Sequence, residues 1–254
     1  MKQYAVITGA SSGIGRAFAK QLSRQGYALI LISRREKHLQ NLAAQLWSEC
    51  IVLPADLTSL EECRRVYEYI RDKNIEIFIN NAGFGDCGPF IVADLDKELQ
   101  MIHLNVRAMH FFTKRILQLM QKKDRGYLLN VASSAGLIPA GPYMAAYYAT
   151  KAYTTSFTRA IAAELKECRS NVYAGCLCPG PVDTNFNHRA NVEFSLKGIS
   201  AGFCAAYALK QMKKRQTVII PTLRMKTVTI CGRFLPQKLY IRLVSRQQKK
   251  KIYT

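Results

Sequence analysis

The chain predicts a doubly wound, three-layer α/β fold on a seven-stranded parallel sheet, and two observations carry that prediction. Seven short apolar runs recur along the 254 residues, and helix-length amphipathic segments separate them. The runs are almost continuously apolar instead of alternating with polar residues, the pattern of strands covered on both faces. Such strand and helix alternation closes, through right-handed crossovers, into a sheet between two layers of helices.

The runs are Tyr4–Thr8, Ala28–Ile32, Cys50–Leu53, Ile75–Ile79, Tyr127–Val131, Val172–Leu177 and Val218–Ile220. The first amphipathic segment should stop at Gly26, because glycine readily takes the left-handed conformation that ends a helix. After the third run, Thr58 and Ser59 precede Leu60-Glu61-Glu62, an N-cap hydroxyl with carboxylates in the first turn. Gly126 falls between the long segment after the fourth run and the fifth run. No repeat, low-complexity tract or long linker interrupts the pattern, so residues 1–254 read as one domain. Residues 222–254 form a basic C-terminal extension packed on it or trailing from it.

Charge is unevenly spread. The net charge is +20, yet the first 193 residues hold 23 basic against 17 acidic side chains; Glu193 is the last acid, and residues 194–254 carry 14 Lys and Arg. The first strand starts at Tyr4, too early for a secretory signal, and no apolar run approaches the roughly 20 residues of a membrane span. A soluble, cytoplasmic protein is expected. Eight cysteines then read as reduced thiols, with Cys50, Cys176, Cys178 and Cys204 inside apolar segments. Cys176 and Cys178 have no His or second Cys pair near them in sequence, and no metal site is expected.

Directly after the first run, Thr8-Gly9-Ala10-Ser11-Ser12-Gly13-Ile14-Gly15 forms a glycine-rich turn into a helix. Such a turn offers backbone N–H groups and a helix N-terminus to a diphosphate. Gly9 permits the tight exit from the strand, Gly13 lets the diphosphate approach, and Gly15 lets the helix pack closely. After the second run come Ser33-Arg34-Arg35, with no acid until Glu36. A carboxylate there would receive a ribose 2'-hydroxyl, whereas guanidinium groups suit a 2'-phosphate. Arg16 adds a further cation just past the glycine turn.

The motif Tyr-x-x-x-Lys occurs twice, and 13 Tyr and 19 Lys in 254 residues make about one occurrence by chance. Tyr69 and Lys73 lie between the third and fourth runs with no serine-bearing strand end ahead of them, and read as a solvated helix face. Tyr147 and Lys151 follow the fifth run and its Ser133-Ser134 end, placing a phenol and an ammonium one helical turn apart.

The glycine spacing Thr-Gly-x-x-x-Gly-x-Gly and the motifs that follow it resemble the classical short-chain dehydrogenase/reductase family over residues 3–221. Asp56-Leu57, Asn80-Asn81-Ala82-Gly83 and Pro179-Gly180-Pro181-Val182-Asp183-Thr184 continue the resemblance in the family's order. It implies a Rossmann fold and a nicotinamide cofactor held by Gly9, Ser11, Ser12, Gly13, Ile14, Gly15, Ser33, Arg34, Arg35, Asp56, Leu57, Asn81, Ala82, Gly83, Pro179, Gly180, Val182 and Thr184. Asp56 would meet the adenine amine, and Asn81 would steady the sheet. With Ser33-Arg34-Arg35, NADP(H) is the expected cofactor. The resemblance implies catalytic roles for Asn105, Ser133, Tyr147 and Lys151. Tyr147 would be the general acid or base, with its pKa lowered by Lys151 and the oxidised cofactor. Lys151 would also hold the nicotinamide ribose, and Asn105 a helix distortion and a water leading to the lysine.

Two serines compete for the substrate carbonyl. Counting from Gly126 along the strand selects Ser133, and counting back from Tyr147 selects Ser134. Strand register sets side-chain direction, and Ser133 is preferred.

The family resemblance further implies a homodimer or homotetramer. The substrate should be a small-molecule carbonyl or alcohol. Phe186, Val192, Phe194 and Leu196 of a closing segment would give it apolar walls, facing Leu137, Ile138, Pro139, Pro142, Tyr143 and Met144; the same residues could serve only to pack the segment down. His188, in that segment, could touch substrate. In the C-terminal extension, a helix from Pro236 would align Lys238, Arg242, Arg246 and Lys249 opposite Leu239, Tyr240, Leu243 and Val244. It suits an anionic membrane surface, a subunit contact or a frayed terminus; no recognition module for nucleic acid accompanies the charge. Rival readings are an NADP(H)-sensing protein without turnover and a peripheral membrane protein with secondary redox activity.

Overall fold

The computed structural model describes residues 2–184 and 198–249. In chain order the elements are β1 (Tyr4–Thr8), α1 (Gly13–Arg24), β2 (Ala28–Ser33), α2 (Glu36–Ala43), β3 (Cys50–Pro54), α3 (Leu60–Ile70), β4 (Ile75–Asn80) and α4 (Leu95–Ile102). A π-helical turn, His103–Ala108, joins α4 to α5 (Met109–Lys122). Then come β5 (Gly126–Val131), α6 (Ala145–Glu167), β6 (Val172–Leu177), β7 (Val182–Asp183), β8 (Ile199–Ser200), α7 (Ala201–Lys213), β9 (Val218–Ile219), α8 (Leu223–Cys231) and α9 (Gln237–Lys249).

The predicted sheet is present: seven parallel strands in the order β3-β2-β1-β4-β5-β6-β9. Side chains along each strand alternate between the two faces. Ala5 and Ile7 of β1 join one core with Phe18 and Leu22 of α1, Leu39 of α2 and Leu209 of α7. Val6 joins the other, with Val66 of α3 and Phe112 and Ile116 of α5. Each such Val, Leu, Ile or Phe side chain stabilises the fold by about 1.5–3 kcal/mol. Gly26 has φ +83° just past α1, and Ser59 Oγ accepts from Glu62 N at 3.3 Å to cap α3, as the local signals predict.

Strand order reverses between β1 and β4, the two strands that lead in opposite directions across the sheet. At such a reversal the loops beyond the strand ends part and leave a crevice. The glycine turn after β1 and Asn81-Ala82-Gly83 after β4 therefore meet at its centre.

Candidate active site

Thr8 ends β1 fully buried, and its hydroxyl accepts from Asn81 N and Ala82 N, both at 2.9 Å. Asn81 Nδ2 returns a bond to the Thr8 carbonyl at 2.9 Å. These bonds lock the two loops at the crevice. Gly9 and Gly13 have φ of +66° and +54°, which turns the chain sharply into α1. Ser12, the N-cap residue, makes no side-chain cap bond, so the first N–H groups of α1 face the crevice without a capping hydroxyl. That is the donor set a diphosphate takes.

The crevice is a cavity of about 300 Å³ running from Arg34, Arg35, Asp56 and Leu57 past Ser11, Ser12, Gly13 and Ile14 to Ser133, Tyr147 and Lys151. Gly9, Ser33, Asn81, Ala82, Gly83, Pro179, Gly180, Val182 and Thr184 also line it. Gly15 lies behind the turn, where a Cβ would come within 2.4 Å of the Gly9 carbonyl oxygen. Arg35 Nη2 donates to Ser11 Oγ at 2.9 Å and Ser12 Oγ at 2.8 Å, and Arg34 Nη1 lies 3.9 Å from Asp56 Oδ2. Arg16 departs from its expected place. Its guanidinium donates to Gln45 Oε1 at 2.9 Å and is absent from the cavity wall, because its helical position turns it toward the end of α2.

At the other end of the cavity, β5 leads into Ser133, whose extended backbone turns its hydroxyl toward Tyr147. The Ser133 hydroxyl lies beside the Tyr147 phenol and favours its ionisation, and Ser133 Oγ accepts from Ala135 N at 3.1 Å. Ser134 instead uses its backbone N–H, which donates to the Pro179 carbonyl at 2.8 Å. Lys151 donates to the Val131 carbonyl at 2.9 Å, with its ammonium 5.9 Å from the centre of the Tyr147 ring. Burial dominates the ionisation of both groups. It pushes the Tyr147 phenol up to about 12 against the lowering effect of the Ser133 hydroxyl, and holds the Lys151 ammonium down at about 8. The phenol is therefore not lowered by the lysine alone; in this state it is neutral.

Asn105 sits inside the π-helical turn and is buried. Its amide donates to the Phe84 carbonyl at 2.8 Å and to Thr150 Oγ1 at 3.2 Å, and accepts from Phe84 N at 3.1 Å. A Cβ on Gly83 would stand 2.8 Å from Asn105 Oδ1 and 3.5 Å from Lys151 Nζ, so only glycine fits this approach without displacement.

Several contributors escaped the sequence reading. Phe84 and Thr150 hold Asn105. Beneath them a buried polar chain runs from Asn80, whose Nδ2 donates to the Met109 carbonyl, through Thr113 and Asn130 to Thr158 of α6. Asn80 and Asn130 are direct neighbours in the β4–β5 register, and an Asn closing the fourth apolar run and another inside the fifth were the available signal. On the substrate side, Ile138 and Met144 line the cavity as expected, but Leu137, Pro139, Pro142 and Tyr143 are absent from its wall. Leu137 packs against Cys176 and Cys178 instead, and Pro139 is exposed. Phe84, Leu104, Tyr148, Met225, Gln247 and Gln248 complete that wall. Phe186, His188, Val192, Phe194 and Leu196 lie outside the described residues.

The C-terminal extension supplies part of this wall. Helix α9 buries Tyr240, Val244 and Gln248, which 3.6-residue spacing puts on one line, and leaves Leu239 and Leu243 each 45% exposed. The apolar face anticipated from sequence thus divides: Tyr240 and Val244 pack inward, while the two leucines stand outside among the cations. Tyr69 and Lys73, the other Tyr-x-x-x-Lys pair, lie on an exposed surface with the ammonium 5.5 Å from the ring centre. Among the described residues no cluster of three or more His, Cys, Asp or Glu gathers, and no helix is long and apolar enough to cross a membrane.

The family model for short chain dehydrogenases matches residues 3–193. The chain belongs to the short-chain dehydrogenase family. Among its relatives is a very-long-chain 3-oxoacyl-CoA reductase of Danio rerio, 33% identical over 172 residues that cover 65% of this chain and 55% of the relative. The chain thus spans about half the length of that reductase. Dehydrogenase/reductase SDR family member 11 of Bos taurus is 31% identical over 192 residues, 72% of this chain and 75% of the relative. A short-chain dehydrogenase from Sphingobium yanoikuyae, solved in complex with NADPH, superposes with a TM-score of 0.83 at 28% identity, covering 94% of this chain and 95% of that one. Membership and the seven-stranded parallel sheet together give the chain the family's Rossmann fold.

Proposed function

We propose that the protein is an NADP(H)-dependent reductase that converts a ketone or aldehyde carrying an apolar chain into the alcohol. The observation that carries the reading is the grouping of Ser133, Tyr147 and Lys151 on one cavity wall, the Lys151 ammonium 5.9 Å from the Tyr147 ring centre, in a cavity that also holds Arg34 and Arg35. The nicotinamide, when bound, supplies or accepts the hydride. Arg34 and Arg35 would meet its 2'-phosphate, the N-terminus of α1 its diphosphate, and Lys151 its ribose hydroxyls. Ser133 would hold the substrate carbonyl oxygen and favour its developing negative charge. Tyr147, neutral and beside Ser133, would deliver its proton to that oxygen, and in the reverse direction receive it. Asn105 would fix the backbone around Gly83 and leave Lys151 in place. Phe84, Leu104, Ile138, Met144 and Met225 offer apolar walls, in keeping with the 3-oxoacyl-CoA reductase among the relatives.

The test is NADPH consumption by the full chain against a series of ketones, aldehydes and 3-oxoacyl thioesters, with Tyr147→Phe as control. Turnover of at least one class that the control loses by a hundredfold or more would support the reading. Unchanged turnover in the control would overturn it, and binding of NADPH with no responsive carbonyl compound would favour a cofactor sensor.

A second reading concerns the extension, and one observation favours it. Phe234 is 85% exposed, and with Leu239 and Leu243 it stands among Arg233, Lys238, Arg242 and Arg246 on a stretch without acids. Apolar side chains interleaved with cations suit a cytoplasmic protein resting on an anionic membrane surface, each cation contributing about 1 kcal/mol there. Sedimentation with anionic but not zwitterionic vesicles, lost on truncation near Phe234, would support it. Self-association is expected too, since Tyr153 and Phe157 of α6 stack beside His110 at the surface; analytical ultracentrifugation would report the dimer or tetramer.

A further inference from the structure

The substrate end of the cavity has two polar poles. One is the Ser133–Tyr147 pair. The other lies one residue further along α6, where the Tyr148 ring packs at 75° to Tyr147 with ring centres 6.3 Å apart. Gln248 comes down from α9 to meet it: Gln248 Nε2 donates to the Tyr148 hydroxyl at 2.5 Å, across 100 residues of sequence. Both residues line the cavity.

Two features set this pair apart from an ordinary packing contact. Gln248 is 2% exposed, and its Oε1 is buried with no hydrogen-bond partner. An amide has two hydrogen-bonding ends, so whichever end meets Tyr148, the other stays unsatisfied, at a cost of about 1–3 kcal/mol. Second, the cavity that the pair lines carries the apolar side chains of Phe84, Ile138, Met144 and Met225, with Gln247 next to Gln248. A phenol and an amide there are the available partners for a polar group on an otherwise apolar substrate. Burial pushes the Tyr148 phenol up, so it remains a neutral donor.

We infer that Tyr148 and Gln248 form a specificity pair that receives a second oxygen of the substrate, close along its chain to the carbonyl held at Ser133 and Tyr147. This rests on the reductase reading above and deepens it, since it names the substrate class: carbonyl compounds bearing a neighbouring ester, thioester, keto or hydroxyl oxygen. The C-terminal extension then takes part in substrate selection, because Gln248 belongs to α9.

The experiment compares two probes of matched chain length, ethyl 3-oxohexanoate and 4-nonanone, in NADPH-linked assays of the full chain. Wild type, Tyr148→Phe, Gln248→Leu and the double variant are measured, with thermal unfolding to verify folding. The wild type should prefer the oxo ester, and the ratio of kcat/KM between the probes should fall about tenfold in each single variant, the value of about one hydrogen bond. The double variant should lose little more, because the two residues act as a unit. A parallel loss on both probes would mean that the pair only holds α9 down, and would overturn the inference, as would an unchanged ratio in folded variants. If the wild type reduces neither these probes nor any other carbonyl compound, the reductase reading fails and takes the inference with it.

Discussion

The side chain of Asn105 grips the backbone of Phe84 from both sides, donating to its carbonyl at 2.8 Å and accepting its N–H at 3.1 Å. One amide thereby satisfies two main-chain groups of the loop after β4, which runs along the cavity. The π-helical turn at His103–Ala108 gives the amide this position. Asn105→Ala would strand both Phe84 groups, and the expected cost is about 2–4 kcal/mol in urea unfolding. On the proposed role, kcat should fall with it. A variant within 0.5 kcal/mol of wild type would show that water replaces the amide at little cost.

Tyr147→Phe removes one hydroxyl from the Ser133 pair and leaves the ring. General acid catalysis contributes about 10²–10⁴-fold, so kcat should drop by that factor. NADPH affinity, followed by fluorescence titration, should stay within about threefold. Loss of cofactor binding comparable to the loss of rate would reassign the hydroxyl from proton transfer to binding.

Arg35 bonds Ser11 and Ser12 across the glycine turn. On the NADP(H) reading, Arg35→Ala should raise the KM for NADPH by about 10–100-fold, the value of a charge-assisted hydrogen bond, and move that for NADH far less. Equal losses with both cofactors would mean that the guanidinium serves to order the turn.

Lys151 carries a pH signature in the cofactor-free protein. Its ammonium is held at about 8 when folded, against 10.5 as the ordinary value. Between those values the unfolded chain binds more protons, so this residue's contribution to stability rises with pH across that window, and its full penalty is present below about 8. Tyr147 has the opposite sign, since a phenol raised to about 12 costs stability only above pH 10. Urea unfolding of wild type and Lys151→Met at pH 7, 8, 9 and 10 separates them. The stability difference should move in favour of wild type by about 2 kcal/mol between pH 8 and 10. A difference flat with pH would refute the depressed ammonium.

Local signals carried much of this. Gly26, Ser59 and the apolar runs announced where helices end and strands lie, because a left-handed φ, a capping hydroxyl and two-sided burial are requirements met within a few residues. The motif order likewise made the family legible. Arg16 and Arg35 show the limit. Both are arginines near the glycine turn, yet one reaches Gln45 and the other Ser11 and Ser12, a choice made by where α2 lies. Tyr69 and Tyr147 share a motif that the Ser133-Ser134 strand end already told apart, and the structure adds that Tyr69 is exposed whereas Tyr147 and Lys151 are buried on the cavity wall.

By itself the sequence determined the layered α/β architecture, the glycine turn and the candidates Ser133, Tyr147 and Lys151, since each follows from short-range pattern and residue chemistry. The tertiary structure decided what surrounds them: Phe84 and Thr150 on Asn105, the polar chain from Asn80 to Thr158, and Gln248 against Tyr148. Those partners lie between 17 and 100 residues apart in sequence. Side-chain hydrogen bonds over such separations depend on how strands register and helices dock, and no periodicity records that in advance.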